Sequence, residues 1–93
     1  MMLPAHYDNL TTAQRGEVRR AYAKLQGGLC SHCGAPLSGP PTQEITSYPL
    51  NEATFPPNFF TYKVHLHHDH TTGLTVGAVH ARCNAVLKRL HGV

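Results

Sequence analysis

At 93 residues with 41% hydrophobic side chains, the chain can form one domain, and its ordinary apolar share excludes an intrinsically disordered protein. No apolar run approaches the roughly 20 residues of a membrane span and no stretch reads as a secretory leader, so no membrane partner and a cytoplasmic location are expected. Three cysteines exclude a closed disulfide framework, and a net charge of +3 with a pI near 9.0 makes a polyanion an attractive partner without requiring one.

In chain order, residues 1–11 read as an irregular arm containing Pro4 and His6. A helix is predicted from Thr12 to Gln26. Thr11 and Gln14 have capping-box spacing, Val18, Ala21, Tyr22 and Leu25 make one apolar stripe, and Gly27-Gly28 supplies a stop. Arg19, Arg20 and Lys24 lie off that stripe, either on a solvated face or on a face that meets phosphates. Leu29-Cys30-Ser31-His32-Cys33-Gly34 reads as a knuckle in which two thiolates grip one ion from a single tight loop. Residues 35–58 carry Pro36, Pro40-Pro41, Pro49 and Pro56-Pro57 and read as a long irregular loop pinned by Ile45, Tyr48, Leu50 and Phe55.

Regular structure resumes at Phe59. Phe59 to His67 reads as a strand in which Phe60, Tyr62, Val64 and Leu66 alternate with Thr61, Lys63, His65 and His67. Asp69 to Gly73 is a turn and Leu74 to Val79 a second strand. A helix is predicted from Arg82 to Leu90, with Val86, Leu87 and Leu90 inward. His91 falls two turns after Asn84 on the same helical face.

Cys30-x-x-Cys33 is answered, after a long gap, by His80-x-x-Cys83. Four soft or borderline donors in two knuckles fit a closed tetrahedral structural zinc site, and they use every cysteine in the chain. The ion would tie the knuckle to the last helix and brace the hairpin between them.

The segments Cys30-x-x-Cys33, His65-Leu66-His67-His68-Asp69-His70, Thr72-Gly73, Gly77 and His80-x-x-Cys83-Asn84 together resemble the HNH, or ββα-metal, nucleases, most closely the phage recombination endonuclease VII family. The likeness runs over about residues 22–90, interrupted at the proline-rich loop. It implies a small α+β zinc-stabilised domain: a ββα-metal (His-Me finger) core with an N-terminal helix and the long loop. The implied activity is divalent-metal-dependent hydrolysis of DNA phosphodiesters, leaving a 5′ phosphate and a 3′ hydroxyl, for a phage protein working in a bacterial cytoplasm. In that pattern His68 matches the general base, Asn84 and His67 the ligands of one catalytic divalent ion, and His70 a histidine near the phosphate. Lys63, Arg82, Lys88 and Arg89 are the expected DNA contacts.

The chain departs from the pattern at three places. His67 stands where the family usually has Asp, and imidazole favours Mn²⁺, Co²⁺, Ni²⁺ or Zn²⁺ over Mg²⁺, so the catalytic ion is expected to be Mn²⁺, Ni²⁺, Co²⁺ or Mg²⁺. His80 stands where Cys is usual, which zinc accepts. Val76 replaces a basic residue. The rival readings are a catalytically inactive zinc-binding DNA-binding module and a structural zinc protein that binds another protein; monomer and homodimer stay open.

Overall fold

The computed structural model describes residues 2–91, with side chains described as far as Arg89, so the expectations for Leu90 and His91 lie outside the described side chains. Helix α1 spans Thr12–Leu25, a four-residue helix α2 spans Gln43–Thr46, and strands β1 (Val64–His68) and β2 (Thr75–His80) run directly into helix α3 (Ala81–His91). None of the described helices is long and apolar enough to cross a membrane.

Both bonds of the capping box form at the start of α1: Gln14 N–H donates to Thr11 Oγ1 and Thr11 N–H donates to Gln14 Oε1. That satisfies two of the backbone donors that a helix start leaves without partners. The buried stripe differs from the expected one. Val18 is buried and Tyr22 half-buried, but Leu25 is 74% exposed. Its place is taken one residue later by Gln26, on the Val18–Tyr22 line. The Gln26 carboxamide behaves like a short piece of β-strand. Its Oε1 accepts from Ala78 N–H at 2.9 Å, and its Nε2 donates to Ala78 O at 2.9 Å and Leu29 O at 2.8 Å. A polar residue therefore closes the outer edge of β2, which a reading by hydrophobic period overlooks.

β1 and β2 pair antiparallel, from Val64 opposite His80 to His67 opposite Gly77, and the register then slips so that His68 opposes Thr75. Val76 is the residue left over, and it is 51% exposed. A bulge of this kind raises the local twist. The first strand begins at Val64 rather than Phe59, because Phe59 and Phe60 fold back onto Phe55 in an aromatic cluster with centroids 4.9 to 5.6 Å apart. The expected alternation therefore holds only from Val64 onward.

The arm is ordered. Ala5 and Thr75 exchange hydrogen bonds, Tyr7 N–H donates to Gly73 O at 2.8 Å, and His6 bridges to Leu74. The arm thus lies along the β2 side of the hairpin through an isolated bridge, and the sheet itself has two strands. Gly73 lets it approach: φ is +76°, and a Cβ there would meet His6 Nδ1 at 3.1 Å. The proline-rich segment is tied down by Ile45, which is buried, and by Tyr48 and Leu50, which pack on the core. Arg82 completes the tie, donating to Ile45 O at 3.1 Å and Tyr48 O at 2.8 Å with Glu52 at 3.5 Å. Phe55 joins the aromatic cluster instead.

The core holds Cys30, Leu37, Ile45, Ala78, Val79, Cys83 and Val86, and its largest fully buried side chains are Val79, Val86 and Cys83. So few large apolar groups leave a domain of this size in need of a covalent or metal staple. Replacing Gln26 by Ala strands the Ala78 N–H at the sheet edge. We expect it to lower unfolding free energy by about 1–3 kcal/mol in denaturant titration.

Candidate metal centre and histidine cavity

The donor atoms of Cys30, Cys33, His80 and Cys83 all lie within 4.8 Å of one another. The knuckle is built by backbone: Cys30 N–H bonds Ala35 O, Gly34 N–H bonds Cys30 O, and His32 N–H points at Cys30 Sγ from 3.4 Å. Gly34 adopts φ +80°, which closes the loop so that both thiols face inward. His32 contributes its backbone and lies outside the donor group. His80 ends β2, and Cys83 follows one turn into α3.

A tetrahedral zinc site with Zn–S near 2.3 Å and Zn–N near 2.0 Å sets sulfur about 3.5 Å from nitrogen. His80 Nδ1 lies 3.4 Å from Cys33 Sγ and 3.7 Å from Cys83 Sγ. On the other side of the ring, Nε2–H donates to Pro36 O at 2.9 Å, which leaves the Nδ1 lone pair aimed at the thiols. A carbonyl that fixes the tautomer of a ligating histidine is the usual outer support of a metal site. The thiols also behave as a set. A hydrogen bond from Cys83 holds the Cys30 thiol far below its ordinary value, and the same contact, with burial, pushes Cys83 up. The Cys30 thiolate forms readily and Cys83 resists beside it; a divalent cation among them would remove that resistance. The four residues could hold a metal ion such as zinc.

A second group of titratable side chains lines a separate cavity of about 400 Å³ between α1, β1 and α3. His65, His67, His68, His70, Asn84 and Lys88 all reach it, so the expected catalytic residues are brought together. His67 and His68 are neighbours at the register slip, and both line the cavity.

Asn84 is oriented through His65. His65 Nε2–H donates to Phe59 O at 2.8 Å, so its Nδ1 must accept, and Asn84 Nδ2 donates to it at 3.1 Å. The Asn84 carbonyl oxygen is thereby left for the His67 side. His65 is thus a support for Asn84. Burial pulls the His67 imidazole below its ordinary pKa, opposed by its hydrogen bond with Asn84. Burial also lowers His65 against the pull of the Phe59 carbonyl, and lowers His68, with the charges of His70 and His67 adding to the effect. Both effects favour the neutral form of the His68 ring.

His68 is held between two flat groups. Tyr7 stacks on it with centroids 3.8 Å apart and planes at 11°, and His70 stacks at 4.5 Å and 21°. Arg15 covers Tyr7 from 4.0 Å and bonds Tyr7 O. Neither Tyr7 nor Arg15 stood out in the sequence, because nothing local marks an aromatic in an N-terminal arm as a neighbour of residue 68. Asp69 shapes the turn: its carboxylate accepts from Thr71 and Thr72 N–H, which lowers its pKa, and it is fully exposed.

The expected DNA contacts divide. Lys88 lines the histidine cavity. Lys63 and Arg82 instead line a different cavity of about 600 Å³ beside Pro40, Pro41 and Glu52. Arg82 is engaged by the carbonyls that anchor the proline-rich segment. Arg89 donates to Thr54 Oγ1 at 2.8 Å and lies near the Phe55 ring. Arg15 and Arg19 of α1 reach the histidine cavity in their place, and none of its lining residues is a carboxylate. Compared with known protein families, with characterised proteins and with solved structures, the chain finds no match.

Two outcomes follow from the two clusters. Cys83→Ser should lose one equivalent of zinc by metal analysis and most of its cooperative thermal transition, whereas His32→Ala should keep both. Tyr7→Ala should cost about 1–2 kcal/mol in thermal or denaturant unfolding and Tyr7→Phe close to nothing, since the stacked ring carries the contact.

Proposed function

We propose that this chain is a divalent-metal-dependent DNA endonuclease of the HNH kind, with a structural zinc and a separate catalytic ion. The observation that carries the reading is the shared cavity. A neutral, sandwiched His68 and an Asn84 oxygen turned toward His67 line the same space, flanked by Arg15, Arg19 and Lys88. The chain order supports it too, since the two strands run straight into the helix that carries Asn84.

In this reading His68 accepts a proton from a water molecule as that water attacks the phosphorus. The bond from phosphorus to the 3′ oxygen breaks, and that oxygen leaves as a hydroxyl after taking a proton from solvent. Tyr7 and His70 keep the His68 ring from turning away. Arg19 and Lys88 hold the phosphodiester by charge, and His65 keeps the Asn84 carboxamide from flipping. The Asn84 oxygen and a His67 nitrogen would hold the catalytic ion, which when bound supplies charge neutralisation at the phosphate and the departing 3′ oxygen. The Asn-plus-imidazole donor set is neutral and partly soft, so Mn²⁺, Co²⁺ or Ni²⁺ suits it better than Mg²⁺.

The missing carboxylate also favours a second reading, a catalytically inactive zinc-binding DNA-binding module, because a neutral donor pair binds a hard ion weakly. A plasmid-nicking assay across divalent metals separates the two. We expect cleavage with Mn²⁺ or Ni²⁺ to exceed that with Mg²⁺. His68→Ala should lower it by about 10²- to 10⁴-fold with zinc content unchanged. Wild-type protein that cuts nothing in any of these metals establishes the module instead.

A further inference from the structure

The wall of the histidine cavity carries a feature that hydrolysis does not use. Tyr62 lines it, and among the described residues it is the one strongly exposed aromatic, at 69%. Phe59 lies on the same side, packed against His65 and approached by Lys88 Nζ at 5.6 Å. Arg19 lines the same cavity. It is half-buried, yet among the described residues its guanidinium has no ion-pair partner; the one ion pair there is Arg82 with Glu52. Cations and an exposed ring lining one cavity, with no carboxylate among its lining residues, match a polynucleotide: phosphate for the cations and the face of a base for the ring.

The geometry points to an unpaired strand. We infer that the cavity takes a phosphodiester between Arg19 and Lys88 with an adjoining unpaired base laid on Tyr62, so that the preferred substrate is single-stranded or carries a flap or bulge. Within a duplex both faces of each internal base are covered by neighbours and are not free to meet Tyr62. A space of about 400 Å³ suits one nucleotide. Of α3, Ala81, Cys83, Ala85, Val86 and Leu87 are buried in the domain, and Asn84 and Lys88 are the residues it brings to the cavity. This inference rests on the reading of the cavity as a DNA site and adds to it which form of DNA is bound.

The test is binding without cleavage. A short fluorescent DNA strand and its duplex are titrated with the zinc-loaded full chain in the absence of any other divalent ion, and gels verify that the strand stays intact. The single strand should bind about tenfold more tightly than the duplex. Tyr62→Ala should weaken single-strand binding about tenfold and leave duplex binding alone, while Tyr62→Phe should bind as wild type. Arg19→Gln should weaken both and lower the salt slope by about 1. An RNA strand of the same sequence reports which sugar the strand carries, and the Tyr62 dependence is expected with either. Equal affinity for strand and duplex, or a Tyr62→Ala protein indistinguishable from wild type, overturns the inference. A protein that binds as expected but nicks no plasmid removes the nuclease reading alone; one that nicks plasmid but ignores Tyr62 removes this inference alone.

Discussion

The meeting of Cys30, Cys33, His80 and Cys83 at one point governs the rest of the molecule. It joins segments 47 residues apart in the chain, from Cys33 to His80, in a domain whose fully buried side chains are mostly valine-sized or smaller. Closing so long a loop has an entropic cost that a core of this size offsets poorly. A bound ion offsets it directly, because its binding free energy becomes folding free energy. The junction it clamps is also the one where β2 becomes α3. Asn84 follows Cys83 immediately, so the position of the histidine cavity depends on the cluster.

From that clamp outward, placement is passed along by single hydrogen bonds and stacked rings. The Phe59 carbonyl sets the tautomer of His65, and His65 sets the orientation of Asn84. Tyr7, held on β2 by the arm's backbone bonds, sets the plane of His68. Apart from the local Phe59–His65 bond, the links join parts of the chain that lie far apart in sequence. His65, His67 and His68 are half-buried, and that burial favours their neutral forms, while the surrounding cations keep the space attractive to an anion. Those two properties are what a proton acceptor beside a phosphate requires.

The Cys3His group was legible in the sequence because knuckle spacing is a local constraint: two thiols can share an ion from one tight turn only at short separation. The capping box of α1 and the alternation through His65 and His67 were legible for the same reason. What stayed hidden depends on tertiary partners. Gln26 looks like a helix-end residue until Ala78 is beside it. Arg82 looks like a phosphate contact until the carbonyls of Ile45 and Tyr48 are seen to take its guanidinium. Leu25 fits an apolar stripe by counting, but the sheet edge selects the next residue. The strand expected from Phe59 was shortened by Phe55, whose attraction for Phe59 and Phe60 no period of two can register. Tyr7 has no sequence mark at all.

X-ray absorption at the zinc edge of the purified protein tests the central claim most directly. The account predicts a first shell of three sulfurs near 2.3 Å and one nitrogen near 2.0–2.1 Å. A shell of light atoms only, or purified folded protein without a stoichiometric metal, would contradict it.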